Sequence, residues 1–291
     1  MDKFTRIILV AGIACFAFAF LLSGLYPWLI TDHRSHEASI AELAEHVSVE
    51  FKQMREAYPA TFAERFGKLA EGALGDAELN GLAPGDPRRA ASDKAWSAAY
   101  AEALQRGRDI YVAEACWHCH SQYVRPVANE EIRFGKVRTP AEDNNALQRP
   151  VLWGTRRVGP DLTHEGGLRS NDWHVAHLIN PKATSPGSIM PAYTWYFHDG
   201  YQVRRRIDPR KAEVYDLDPE TSYPYPGVYA TEADAQAALE RIRATIDPVL
   251  EAEKERLFVD AGYGPNGDAL CLISYLQWLG TYEPMVKEDA P

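Results

Sequence analysis

The chain opens on an unbroken apolar run. From Ile7 to Ile30 no residue is charged, a stretch longer than the ~20 residues that cross a bilayer core. It also exceeds the apolar core of a signal peptide, although Ala17-Phe18-Ala19 resembles a cleavage site. Tyr26 and Trp28 stand at its end, where aromatic rings favour the membrane interface. The run therefore predicts an uncleaved membrane anchor. Beyond it the pattern becomes amphipathic. Ile40, Leu43, Val47, Phe51 and Met54 recur at helical spacing and predict a helix over 37–57, broken at Tyr58-Pro59. Phe62, Phe66, Leu69 and Ala73 predict a second helix over 60–74, ended by Gly75. Residues 76–92 have linker composition. A helix over 93–114 contains Gly107, where another helix can approach closely. Its expected partner is 267–280, with Leu270, Ile273, Leu276 and Leu279 on one side, Asn266 at its start and Gly280 at its end. Between them, 200–230 reads as irregular. Residues 231–261 read as two helices, the first opened by Thr231 and Asp234 and the pair separated by Pro248.

Charge changes this picture little. The formal net charge is −10 and the pI about 5.4, which argues against nucleic-acid binding. An acidic face could receive a basic protein, but solubility is the simpler reading. No internal repeat is apparent, and no acid–base or nucleophile constellation marks a catalytic site.

The decisive chemistry is Cys116-Trp117-His118-Cys119-His120. This CxxCH is the sequence form of c-type haem attachment: two thiols add across the haem vinyl groups and the adjacent histidine supplies an axial nitrogen. A redox dithiol would call for a βαβ context, and a zinc site for a second ligand pair at close spacing. Neither is visible. The other cysteines, Cys15 and Cys271, are isolated and read as small buried hydrophobes, with no structural disulfide. Of the four methionines, Met190 in Ser188-Ile189-Met190-Pro191-Ala192-Tyr193 is the favoured sixth ligand, because His/Met ligation is common in cytochromes c. His164, His174, His177 and His198 are its rivals. Gly159-Pro160-Asp161-Leu162 offers the Pro160 carbonyl as partner for the second ring nitrogen of His120. Arg125, Arg156 and Arg157 can pair with haem propionates or simply be solvated. Trp153, Trp173, Tyr193 and Trp195 can wall the haem or fill a core. His174 and His177 share a helix face, though no third ligand completes a metal set. Covalent haem attachment in bacteria is completed outside the cytoplasmic membrane. Lys3 and Arg6 before the apolar run also favour a cytoplasmic N-terminus. Both place the remainder in a periplasm, on a single-pass protein of the bacterial inner membrane.

Several segments together resemble one family. Gly107-Arg108-Asp109-Ile110-Tyr111 leads into the CxxCH, which continues as Ser121-Gln122-Tyr123-Val124-Arg125-Pro126. Trp153-Gly154-Thr155-Arg156-Arg157-Val158-Gly159-Pro160-Asp161-Leu162 follows. Then come Asp172-Trp173-His174, His177-Leu178-Ile179-Asn180-Pro181 and Met190-Pro191-Ala192-Tyr193. The chain is similar here to the mono-haem cytochrome c subunit, CcoO or FixO, of cbb3-type cytochrome c oxidase. The likeness is dense across about 105–197 and returns at Tyr275-Leu276-Gln277. It implies one covalent haem c held by Cys116 and Cys119, with His120 and Met190 on the iron. It also implies a catalytic partner subunit carrying b-type haems and copper, and a donor cytochrome c such as a di-haem subunit. A calcium ion contacted from the Trp-Gly-Ser-Lys/Arg turn is part of the family pattern, and here that turn carries Thr155. The stretch from 31 to about 100 is longer than the family's connector.

The expected fold is mainly α: an N-terminal single transmembrane helix plus a class I cytochrome c-like helical domain with a helical-hairpin insertion. The expected boundaries are an anchor over 1–35, hairpin and linker over 36–92, the mono-haem domain over 93–283 and a tail over 284–291. The expected function is electron transfer from the donor cytochrome to an oxygen-reducing haem–copper oxidase. The cytochrome subunit of a related nitric oxide reductase and a freestanding membrane-tethered shuttle are the alternatives.

Overall fold

A computed structural model describes residues 2–34, 37–154, 156–206, 222–224, 229 and 231–283. The expected tail over 284–291 lies outside them. The anchor begins as helix α1 (Lys3–Phe20), whose first turn is capped by the Asp2 carboxylate accepting from the Thr5 amide at 2.7 Å. It passes through a π-helical turn, Leu21–Leu25, into α2 (Tyr26–Arg34). Pro27 accounts for that turn: it has no amide proton, and its ring crowds the carbonyl four residues back. No side chain in the Lys3–Ile30 span is buried against the rest of the chain, and its length and apolarity fit a single-pass membrane anchor.

The helix expected over 37–57 is two helices, α3 (Ile40–Leu43) and α4 (Val49–Ala57). Serine punctuates them. Ser39 and Glu42 cap each other at the start of α3, and Ser48 Oγ accepts from the Phe51 amide at 3.1 Å to open α4. A side chain that satisfies exposed helix amides favours a new start over a continued helix. Helix α5 (Pro59–Phe66) starts on a proline, which loses nothing at a first helical position. It gives way to turns by Gly67, short of the expected 74. The expected linker contains α6 (Asp76–Asn80), where the Gly75 amide donates to the Glu78 carboxylate at 2.8 Å. Helix α7 (Pro87–Ala113) begins before Ser92, because Asp86 caps it and Pro87 occupies its first turn.

Among the described residues, α7 is followed by α8 (Cys116–Cys119), α9 (Glu130–Phe134) and, after a long irregular stretch, α10 (Asn171–Ile179) with α11 (Pro181–Thr184) directly behind it. Two further expectations need correction. Residues 200–230 include strand β1 (Phe197–Arg206) and the short β2 (Ser222–Pro224). After α12 (Glu232–Thr245), the second expected helix shrinks to α13 (Glu251–Lys254), and the chain enters β3 (Leu257–Pro265). The sheet is antiparallel in the order β2-β1-β3, with Phe197 opposite Pro265 and Arg205 opposite Leu257. It packs on α12 through a small core of Val203, Ala238, Leu239 and Leu257. Strand formation depends on a partner some sixty positions away, and local periodicity carries no trace of it.

The last helix, α14 (Gly267–Trp278), crosses α7 at Gly107. A Cβ there would stand 2.1 Å from the Cys271 carbonyl oxygen and 2.7 Å from Tyr275 Cβ. Asn266 caps α14 through the Ala269 amide at 3.0 Å, and Gly280, at φ +82°, turns the chain away. Cys271 is buried and Cys15 exposed, and both are free thiols. The α3–α6 segment closes on this crossing. Phe51 packs on Tyr100 at 5.0 Å between ring centroids and on Phe62 and Phe66. The Arg55 guanidinium covers Trp96 at 4.5 Å and donates to the Ala73 carbonyl, and Ser274 Oγ reaches Met54 Sδ at 3.6 Å. Phe51, Met54 and Phe66 are fully buried in the same core as α7 and α14.

Replacing Phe51 by alanine should therefore destabilise the core that α7 and α14 share, by about 3–5 kcal/mol. The thermal unfolding midpoint of the region beyond the anchor reads this. An unchanged midpoint would mean that α3–α6 is only a surface attachment.

Candidate haem site

The C-terminal end of α7 delivers the CxxCH. Glu114 caps the helix, and Ala115 adopts a left-handed conformation, φ +54°, that turns the chain before α8. Cys116 and Cys119 are three residues apart in that single turn and so share its face. Both are free thiols, Cys116 half-buried and Cys119 exposed. Burial, reinforced by Glu114, pushes the Cys116 thiol up to about 12 and keeps it neutral.

His120 Nδ1 lies 3.0 Å from the Pro160 carbonyl oxygen. A carbonyl only accepts, so the proton sits on Nδ1, and the Nε2 lone pair is left for another partner. Burial holds the ring's pKa below its ordinary value and keeps the imidazole neutral. Two backbone bonds zip the segments together: Gly159 N–H to the Cys119 carbonyl at 3.0 Å, and Leu162 N–H to the Ser121 carbonyl at 2.9 Å. Gly159 is required by closeness, since a Cβ there would stand 2.3 Å from His120 Cε1. On the other side, Tyr111 Oη donates to the His120 carbonyl at 2.9 Å.

Asp161 anchors this zip from inside. Its carboxylate is buried and accepts from Ser121 Oγ at 2.5 Å, the Tyr123 amide at 3.0 Å and the Thr163 amide at 2.9 Å. Arg157 completes the knot. It contacts Glu130, Ser121 Oγ, the Tyr123 carbonyl and Asp161, and its guanidinium lies over Phe134. Its hydrogen bond holds the Glu130 carboxyl down to about 2. Arg157 thus directs its donors to these protein groups. Arg125 is exposed and turned to Glu130, while Arg156 is exposed with no ion pair among the described residues. Thr155, the expected calcium contact, lies outside the described residues. Among those described, no group of three or more His, Cys, Asp or Glu side chains could hold a metal ion.

Met190 is half-buried against the main core, its amide donating to Ser188 Oγ at 3.2 Å. Tyr193 is buried, and its amide donates to the Leu178 carbonyl at 2.8 Å. Of the rival histidines, His164, His177 and His198 each have a hydrogen-bond partner, and buried His174 Nε2 has none among the described residues. His164 Nε2 meets the Lys136 carbonyl at 2.9 Å. His174 is buried with Nε2 3.6 Å from Glu165, and burial lowers its pKa to about 3. His177 stacks on Trp173 and meets Thr184 Oγ1 at 2.6 Å. His198 is exposed. Trp153 is 60 % exposed beside Tyr123, and Val158, Ile189 and Trp195 are also exposed, each on a segment that flanks His120, Pro160 or Met190. Large apolar side chains left open in this way suit a flat apolar group laid over them. Two thiols on one helical turn, an oriented neutral imidazole, a thioether and this apolar rim together fit a haem.

The sequence profile of the family described as cytochrome c oxidase, mono-haem subunit/FixO matches residues 89–282. The chain belongs to that family. It is a mono-haem cytochrome c subunit of a cbb3-type oxidase, with one haem as the family's cofactor and other oxidase subunits as its associates. No curated protein matches the chain. The family match starts inside α7 and leaves out the anchor and α3–α6. Sequence reasoning singled out Pro160 but not Asp161, its neighbour. An acidic residue between Pro160 and Leu162, immediately after the histidine's partner, was the available signal.

A Gly159→Ala change should push the His120 ring off the Pro160 carbonyl. The expected result is a lowered thermal midpoint and an altered haem reduction potential. An unaltered potential would show that the backbone absorbs the methyl without moving the ring.

Proposed function

We propose that this subunit is the electron-entry point of the oxidase, set on the periplasmic side of a bacterial inner membrane by its single N-terminal helix. Cys116 and Cys119 would hold the haem covalently, and His120 Nε2 and Met190 Sδ would ligate its iron. The haem supplies reversible one-electron chemistry at an iron whose potential a thioether ligand raises. The protein's part is to bind, orient and shield. Pro160 fixes the ring of His120 and raises its basicity as a ligand. Asp161 and Arg157 hold Pro160 in place. Tyr193 excludes water on the methionine side, and Arg156 is the cation best placed in the sequence to meet a propionate. Electrons arrive from a donor cytochrome c, such as a di-haem subunit, and leave for the b-type haem of the haem–copper catalytic subunit, where oxygen is reduced. The chain itself performs no bond-making catalysis.

The observation that carries this reading is the His120–Pro160 hydrogen bond next to a paired-cysteine helical turn. A half-buried histidine with Nδ1 committed and Nε2 left for another partner has the arrangement of a metal ligand with an orienting partner.

Two measurements test it. In mild detergent the chain should copurify with b-type haem and with oxygen consumption. Purification alone, without b-type haem, would favour a freestanding shuttle, and nitric oxide consumption without oxygen consumption would favour the related reductase. Met190→Leu should abolish the sulfur–iron absorption band and lower the potential while leaving covalent haem content intact. An unchanged spectrum would remove Met190 as a ligand.

A further inference from the structure

Glu114 connects the two halves of the site, and neither its sequence neighbourhood nor the family's motif assigns it a role. It lies two residues before Cys116. Its Oε1 accepts from Tyr196 Oη at 2.5 Å and from Trp195 Nε1 at 3.3 Å. These donors sit in the 3₁₀ turn Thr194–Tyr196, five and six positions past Met190. Tyr196 is buried, and burial together with the Glu114 contact raises its hydroxyl pKa, so it remains a donor. The same turn is tied to α14. The Tyr196 carbonyl accepts from the Asn266 amide at 2.9 Å, and the Trp195 carbonyl from Asn266 Nδ2 at 3.2 Å. Asn266 is also the residue that caps α14.

One carboxylate therefore joins the end of α7, which carries the cysteines and His120, to the far end of the strap that carries Met190. Near the methionine the strap is also held by Ser188 N–H to the Ser185 carbonyl and Met190 N–H to Ser188 Oγ, which are local, and by Tyr193 N–H to the Leu178 carbonyl, which ties it to α10. These bonds do not run to the end of α7. The Glu114 bonds do, across about eighty residues of chain. They are charge-assisted, the stronger class of hydrogen bond.

We infer that Glu114 is a positioning residue for the methionine side of the haem: it clamps the Met190 strap to the haem-attachment turn and so resists loss of the thioether from iron. This rests on the reading of Met190 as the sixth ligand. The mechanism is mechanical and needs no change of protonation. Its effect is read in how readily an outside ligand displaces the thioether.

The test uses the detergent-purified complex and imidazole as probe ligand for the ferric haem c, with the sulfur–iron band recorded in the same titration. Tyr196→Phe should tighten imidazole binding about tenfold, the consequence of losing one such bond, and Glu114→Ala, which also loses the Trp195 bond, at least as much. The double variant should be no tighter than Glu114→Ala alone, because that variant already lacks the Tyr196 contact. Glu114→Gln keeps an acceptor and should fall between wild type and Glu114→Ala. Covalent haem content should be unaltered throughout. Wild-type imidazole affinity in Glu114→Ala, or full additivity in the double variant, would overturn the clamp. If Glu114→Ala does not accumulate, Tyr196→Phe, which removes only a hydroxyl, decides by the same criterion. Met190→Leu separates the two levels. If it loses the band while Glu114→Ala behaves as wild type, the clamp alone is wrong. If it keeps the band, the ligand reading is wrong.

Discussion

The constraint on which the rest depends is the direction of one imidazole. Nδ1 of His120 is 3.0 Å from the Pro160 carbonyl, and that bond settles both the tautomer and the ring's tilt. It exists because the segment bearing Pro160 is pressed against the segment bearing Cys119 and His120, with no room for a side chain at Gly159. The pressing is done by a buried carboxylate. Asp161 accepts a hydroxyl and two amides, and Arg157 offsets its charge. A buried charge with this many donors is stable only when all are in place. The turn therefore acts as a unit, and loosening any member would free the ring.

A second layer of support lies beneath. Helix α7 must end at a fixed point to present Cys116, and α14 fixes it by crossing at Gly107 with backbone against backbone. The α3–α6 segment, outside the family match, fills the remaining side of that crossing with Phe51, Met54, Phe62 and Phe66. That segment is thus continuous with the core that α7 and α14 build.

Some of this was legible in the sequence and some was not, for physical reasons. The crossing of α7 and α14 could be read from Gly107 and from the Asn266 and Gly280 caps, because close approach and capping demand particular residues. The paired-cysteine turn stood out because Cys116, Cys119 and His120 lie at fixed spacing. Strand β3 could not be read, since Leu257 to Pro265 becomes a strand only beside Phe197 to Arg205. The start of α7 was missed because helical periodicity gives no weight to Asp86 and Pro87, which act through capping alone. Adjacent arginines 156 and 157 looked equivalent. Only the folded turn sends Arg157 inward to Asp161 and leaves Arg156 outside. Glu114 was invisible for the same reason as β3, its partners being about eighty residues away.

The most direct test of electron entry through this turn is the order of reduction in the assembled complex. Stopped-flow mixing with a reduced donor cytochrome should reduce the haem we assign to Cys116 and Cys119 first and the b-type haem after it. Loss of that haem in a Cys116→Ala/Cys119→Ala variant that still assembles should abolish b-haem reduction by the donor. Reduction of the b-type haem at its normal rate in that variant would contradict the account.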